Sequence, residues 1–150
     1  MTTGTKQQVF LGGSCNPTTW REDSAIPLLK MADVDFYNPQ VDDWHEGLVA
    51  LEATAKEESV ALLFVIDSQT RAIASIQEAT EYIAAGRNVA LVVEDMVDGT
   101  DVDGQVVTGR ELKDLNRARA YLRNQVTRYD NGKLCATVDE AVGTVVNWLE

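Results

Sequence analysis

Three carboxylates and one glycine pair are the residues of this chain best placed to do chemistry. Glu78 stands in SIQEATEYIAAG (75–86), a helical pattern that follows the apolar run VALLFVID (60–67) after a short polar link. A glutamate where a helix opens beside a strand end points at the crevice in which open α/β sheets take their ligands. Held rigidly there, a carboxylate can attack an anomeric carbon and form a glycosyl ester. Asp67 closes the apolar run, and serves there either as a helix cap or as a ligand for substrate hydroxyls and base nitrogens. At one crevice the two acids would divide the work of breaking an N-glycosidic bond, Glu78 attacking while Asp67 positions or protonates the base. Glu52, on the preceding helix, is a third candidate. Gly12-Gly13-Ser14 lets backbone approach a ligand closely and offers amide hydrogens to a sugar hydroxyl or a single phosphate.

Each of these has a plainer reading. Ser75-Ile-Gln-Glu78 has capping-box spacing, in which the glutamate folds back onto the cap amide, and Thr108-Gly-Arg-Glu111 has it too. A wheel on Ile73, Ile76, Thr80 and Ile83 turns Glu78 away from the buried stripe, which suits solvent and ligand alike. The glycine pair also fits a bare tight turn, since neither G-x-G-x-x-G nor a Walker lysine is present.

Five apolar, β-branched runs must position these groups: QVFLGG, VDFYNP, VALLFVID, NVALVVED and KLCATV. They alternate with helical patterns, which predicts an α/β fold with a parallel sheet covered on both faces. The first helix is expected to start at Asn16-Pro17 and run through Trp20, Ile26 and Leu29, with a kink at Pro27. Others are expected over 44–58, 75–85, 108–128 and 139–149. MVDGTDVDGQVV reads as the one long loop. The simplest arrangement is a flavodoxin-like doubly wound five-stranded sheet, order 2-1-3-4-5, in a single domain over residues 1–150. Its switch point lies between the first and third strands. That edge collects Gly12, Gly13, Ser14, Asn38, Asp42, Asp43, Asp67, Ser75, Glu78, Glu94 and Asp95, an acidic site in which Arg21 is the nearest basic residue to the glycine turn and the expected reader of any 5′-phosphate.

Charge narrows the partners. With 24 acids against 13 bases the net charge is −11, which disfavours nucleic acid polymers and anionic membranes, both of which need clustered Lys and Arg. No apolar run approaches the about 18 residues of a membrane span. No apolar h-region follows Met1, and Cys15 and Cys135 have no metal-ligand spacing, so a reducing cytoplasm is expected. His45 stands alone, and the sequence shows neither a Ser/His/Asp triad nor a zinc site. The acidic loop fails as a calcium site, because the register that puts Asp101, Asp103 and Gly104 at positions three, five and six puts Gly99 at one and Arg110 at twelve.

FLGGS (10–14), Trp20-Arg21, FYNPQVDDW (36–44), the strand ending in Asp67, and SIQEATEYIAAG with Glu78 together resemble the nucleoside 2-deoxyribosyltransferase-like family, over about residues 1–95. The resemblance implies a flavodoxin-like fold and no metal or organic cofactor. It also implies a nucleophilic glutamate at the start of the third helix, eight residues before a helix-ending glycine; here these are Glu78 and Gly86. It assigns Gly12, Gly13, Asn38, Asp42 and Trp44 to the sugar and base pocket, to which Ser14, Trp20, Arg21, Glu52 and Ser75 are added as substrate-binding candidates. A small-molecule nucleoside or nucleoside monophosphate is the implied partner, and a homo-oligomer sharing residues between subunits the implied assembly. Apolar stripes at Leu48, Leu51 and Ala55 and at Leu112, Leu115, Ala118 and Leu122 suit that assembly or an ordinary core. A second function class is a non-catalytic nucleotide-binding module, suggested by Ala72 and Thr80, where family enzymes often carry aspartate and glycine.

Overall fold

A computed structural model describes residues 6–150; the stretch directly behind Met1, read above for a leader, lies outside the described residues. Five strands form one all-parallel sheet: β1 (Lys6–Gly13), β2 (Asp35–Tyr37), β3 (Ser59–Ile66), β4 (Val89–Val93) and β7 (Gly132–Cys135), in the order β2-β1-β3-β4-β7. Taken by position among these five, that is the doubly wound 2-1-3-4-5 order.

Side chains alternate between the faces of a strand, so each strand feeds two cores. Val9, Leu11, Ala61, Leu63, Val65, Ala90 and Val92 meet Leu29 of α1 (Ile26–Met31) and Ala141, Val142 and Val145 of α5 (Val138–Leu149). Phe10, Leu62, Phe64, Ile66 and Leu91 meet Ala55 of α2 (Leu48–Glu58), Ala79 and Ile83 of α3 (Ile73–Ala84), and Leu122 and Val126 of α4 (Gly109–Val126). On α4, Leu115 and Leu122 of the stripe are buried and Leu112 and Ala118 half-buried. Of the α2 stripe only Ala55 is buried, while Leu51 is 60% exposed.

Four local expectations are corrected. The chain does not enter a helix at Asn16-Pro17, whose peptide bond is cis; it makes a turn, then a π-helical segment (Arg21–Ala25) that runs into α1, with Pro27 in the first turn of α1. Proline has no amide hydrogen for the preceding turn, and a wide turn is one way to absorb that. Second, α2 begins at Leu48 rather than at Trp44. Third, α3 begins at Ile73, its N-cap being Ala72 in the left-handed region (φ 57°), and no side chain caps it. Ser75 is thus inside the first turn, and the Ser75/Glu78 capping box does not form. Thr108 does precede α4, but its hydroxyl donates to Asp98 and Glu111 pairs with Arg71. A reciprocal cap occurs instead at α5, where Thr137 Oγ1 accepts from the Glu140 amide and Glu140 accepts from the Ala136 amide.

Fourth, the long loop holds an antiparallel hairpin, β5 (Thr100–Val102) and β6 (Gln105–Val107). Asp103 and Gly104 both have positive φ, the two-residue turn that Asp-Gly favours because it matches strand twist. Val107 packs with Met96 and Leu115, fixing the hairpin to α4.

Two arginines are fully buried and tie the carboxyl edge of the sheet together. Arg119 on α4 donates to the carbonyls of Asp67, Thr70, Arg71, Glu94 and Leu115. These carbonyls belong to the β3–α3 connection, the end of β4 and α4 itself. Arg119→Met keeps the stem but strands several buried acceptors, and is expected to cost about 2–4 kcal/mol in urea denaturation. A cost below about 1 kcal/mol would mean that water replaces the guanidinium. Among the described residues, no helix is long and apolar enough to cross a membrane.

Candidate functional site

A cavity of about 540 Å³ opens between α2 and α3 above the end of β1, within the ~300–1,000 Å³ range of small-molecule sites. Phe10, Gly12 and Gly13 line it from β1, Pro39 and Trp44 from the β2–α2 connection, Glu52 and Lys56 from α2, and Ser75 and Glu78 from α3. Glycine at 12 leaves room against the sheet, since a Cβ there would lie 2.5 Å from the Phe64 ring.

Glu78, the sixth residue of α3, accepts a hydrogen bond and ion pair from Lys56 through Oε2. The lysine side chain is only 9% exposed, against 36% for the glutamate. Its ammonium sits 5.6 Å from the ring centroids of both Phe10 and Tyr82, so two aromatic faces and one carboxylate replace its lost water. Phe10 is in turn stacked on Tyr37, with centroids 5.5 Å apart. Glu52 lies one turn before Lys56. Burial pushes its carboxyl above the ordinary glutamate value, opposed by the Lys56 charge and reinforced by Glu78, with a Trp44 hydrogen bond and Arg21 pulling it down.

Of the residues singled out from sequence, the fold brings together Gly12, Gly13, Trp44, Glu52, Ser75 and Glu78. It does not bring Asp67 to them. Residues 61, 63 and 65 of β3 face α1 and α5 while 62, 64 and 66 face α2 to α4, and Asp67 continues the odd series. It lines a second cavity of about 450 Å³ with Trp20, Glu94 and Asp139, and its carboxylate accepts from the Gln69 amide at 3.0 Å and Gln69 Nε2 at 3.2 Å. The expectation of Asp67 and Glu78 at one crevice is thereby corrected.

The remaining candidates build the walls from behind. Ser14 is buried, its hydroxyl accepting from the Asp67 amide and from Thr70 Oγ1. Arg21 sits beneath the glycine turn, donating to the carbonyls of Leu11, Gly13 and Ser14 and to Gln40, with Trp20 stacked 4.3 Å from its guanidinium. Its donors are spent on the fold, and burial lowers its pKa. Asn38 makes a local turn by accepting from the Gln40 amide. Asp42 is exposed on the same connection and is not part of the cavity wall.

Lys56 is the main residue that sequence reasoning missed. Its signal was present: Glu52 and Lys56 are four apart on one helix, glutamate first, the spacing at which opposite charges meet. Cys15 also reaches the cavity; burial raises its thiol pKa, opposed by Arg21. Among the described residues, no group of three or more His, Cys, Asp or Glu is placed to hold a metal ion.

No curated protein matches this chain. Among solved structures it is similar to a conserved protein from Enterococcus faecalis V583, at 16% identity and a TM-score of 0.56, covering 97% of this chain and 99% of that one. That likeness is one of fold. The family model described as "nucleoside 2-deoxyribosyltransferase like" matches residues 6–96, which hold β1 to β4 and the whole of the α2–α3 cavity wall. The chain belongs to the nucleoside 2-deoxyribosyltransferase-like family.

Proposed function

We propose that the protein cleaves or transfers the N-glycosidic bond of a nucleoside, with Glu78 as nucleophile. The observation that carries this reading is the Glu78 carboxylate, paired through one oxygen with a caged lysine on the wall of the cavity beside Phe10 and the glycine turn. Lys56 takes Oε2 and so fixes the carboxylate plane, which leaves Oε1 to attack C1′ of the sugar. Trp44, 60% exposed on the cavity wall, offers an apolar face to a planar base. Family membership supports the reaction class.

The cavity favours an uncharged substrate. Glu52, Glu78 and Glu81 line it against the single lysine, and Arg21 is occupied beneath the turn, so a 5′-phosphate meets net repulsion. Incubation with ribo- and deoxynucleosides and their 5′-monophosphates, with and without a second free base, is expected to release or exchange base from nucleosides faster than from monophosphates. Faster turnover of monophosphates would remove the charge argument. Binding with no base released from any member would favour the second reading, a nucleoside-binding module in which the Lys56 pair keeps Glu78 from reacting.

The exposed Trp44, Val49 and Leu51 beside the cavity mouth support a symmetric dimer built on α2. Light scattering at micromolar concentration is expected to give twice the chain mass; 16.5 kDa would sink the dimer.

A further inference from the structure

We propose that Glu52 is the proton donor to the leaving base, working across the cavity from the Glu78 nucleophile with Lys56 between them. This rests on the N-glycosidic reading above and supplies the acid that Asp67, facing the other side of the sheet, does not.

The placement follows from the two helices. Glu52 enters the cavity from α2 and Glu78 from α3, and Lys56, one turn beyond Glu52, gives its ammonium to Glu78. The other titratable groups on the wall are less suited. Lys56 is committed to Glu78, Glu81 is exposed at the rim, and Cys15 is a thiol whose proton burial holds. The groups acting on Glu52 are Lys56 from its own helix, Glu78 from α3, Arg21 and Cys15 from the segment after β1, and Trp44 from the connection before α2. Lys56 is engaged with Glu78, whereas Glu52 is penalised by burial and by Glu78 when ionised. Two carboxyls at one site with different environments divide naturally into acid and nucleophile.

In the first step Glu78 Oε1 bonds to C1′ as the C1′–N bond breaks. The electron pair stays with the base, and the Glu52 proton passes to a base nitrogen or conjugated oxygen. In the second, water or an acceptor base attacks C1′, the ester bond to Glu78 breaks, and the Glu52 carboxylate takes the proton released by the nucleophile.

The test compares two leaving groups. The best-cleaved nucleoside of the panel is set against an analogue whose base departs without protonation, N7-methylated for a purine or 5-nitrated for a uracil. Glu52→Gln is expected to lower kcat/KM on the parent nucleoside by about 10²-fold or more, the usual scale of general acid catalysis, and on the activated analogue by less than about 10-fold, with the alkaline limb of the pH profile, where Glu52 would lose its proton, abolished. Equal losses on both would overturn the proton-donor role. Loss on both in Glu78→Gln but not in Glu52→Gln keeps the two roles distinct. Full activity of Glu78→Gln instead breaks the reading on which this one rests.

A readout free of activity covers a chain that releases no base. Because the folded pKa of Glu52 is raised, its ionisation costs stability at neutral pH, and that cost fades as pH falls through the raised value toward the ordinary 4.5 and below. Glu52→Gln is therefore expected to raise Tm at pH 7 and to lose that gain by about pH 4. No gain at pH 7 would overturn the premise that Glu52 can carry a proton here.

Discussion

Glu78→Gln is expected to lower base release by at least about 10³-fold while leaving a folded protein. An amide oxygen cannot form the glycosyl ester, and no other carboxylate on the cavity wall is held as Glu78 is. Lys56 positions one oxygen of Glu78 from a ring-lined cage, and the ridge of Ala79 and Ile83 fixes α3 on the sheet. The variant loses an ion pair whose glutamate side is 36% exposed, so solvent already screens part of it, and Gln still offers an oxygen to the ammonium. The stability cost is expected near 1–2 kcal/mol, about a few degrees in Tm for a chain of this size. Turnover measured on the panel beside a thermal melt separates the outcomes. Retained turnover would exclude Glu78 as the nucleophile, and loss of the fold would make the Lys56 pair a structural clamp first.

The strands and their order were legible because buried parallel strands read as continuous Val, Leu and Ile runs, and right-handed crossovers leave few topologies. Part of the cavity wall, the Gly12-Gly13 turn above all, was legible for the same reason, since residues just past strand ends in this order have one place to go. What failed was side. Asp67 and Glu78 lie at the two ends of one strand-to-helix passage, but the two-residue period of β3 sends Asp67 to the α1/α5 face, and counting from Val65 would have shown it. Arg21 was misjudged because arginine is almost never fully buried; nothing in the sequence says that four nearby carbonyl and amide oxygens will claim it. The start of α3 gave no signal either. Ala72 in the left-handed region is set by the connection that Arg119 holds, while Ser75 and Glu78 matched a cap spacing by chance. The hairpin, by contrast, had its sign in Asp103-Gly104 between two β-branched stretches, which the acidity of the loop obscured.

The glycine turn carries the second large effect, and Gly13→Ala is expected to destabilise the fold by about 3–5 kcal/mol. Two independent costs meet at this position. Gly13 has φ of 110°, a conformation that a side chain rarely adopts, and an added Cβ would stand 2.1 Å from the carbonyl oxygen and 2.6 Å from the amide nitrogen of Val65. Both are main-chain atoms of the central strand. They have little room to retreat, since the Ser14 amide donates to that same carbonyl at 2.8 Å and β3 is paired on its other side with β4. Gly12 differs, because the atoms its Cβ would meet belong to the Phe64 ring, and a ring can tilt. Gly86 isolates the conformational part: its φ is 85° and nothing lies within 4 Å of an added Cβ, so Gly86→Ala is expected to cost only about 1 kcal/mol. Urea denaturation of the two variants measures the difference directly. A Gly13→Ala loss no larger than that of Gly86→Ala would show that the turn can move away from β3 to admit a side chain. With it would go the rigid floor on which the Glu78 site depends.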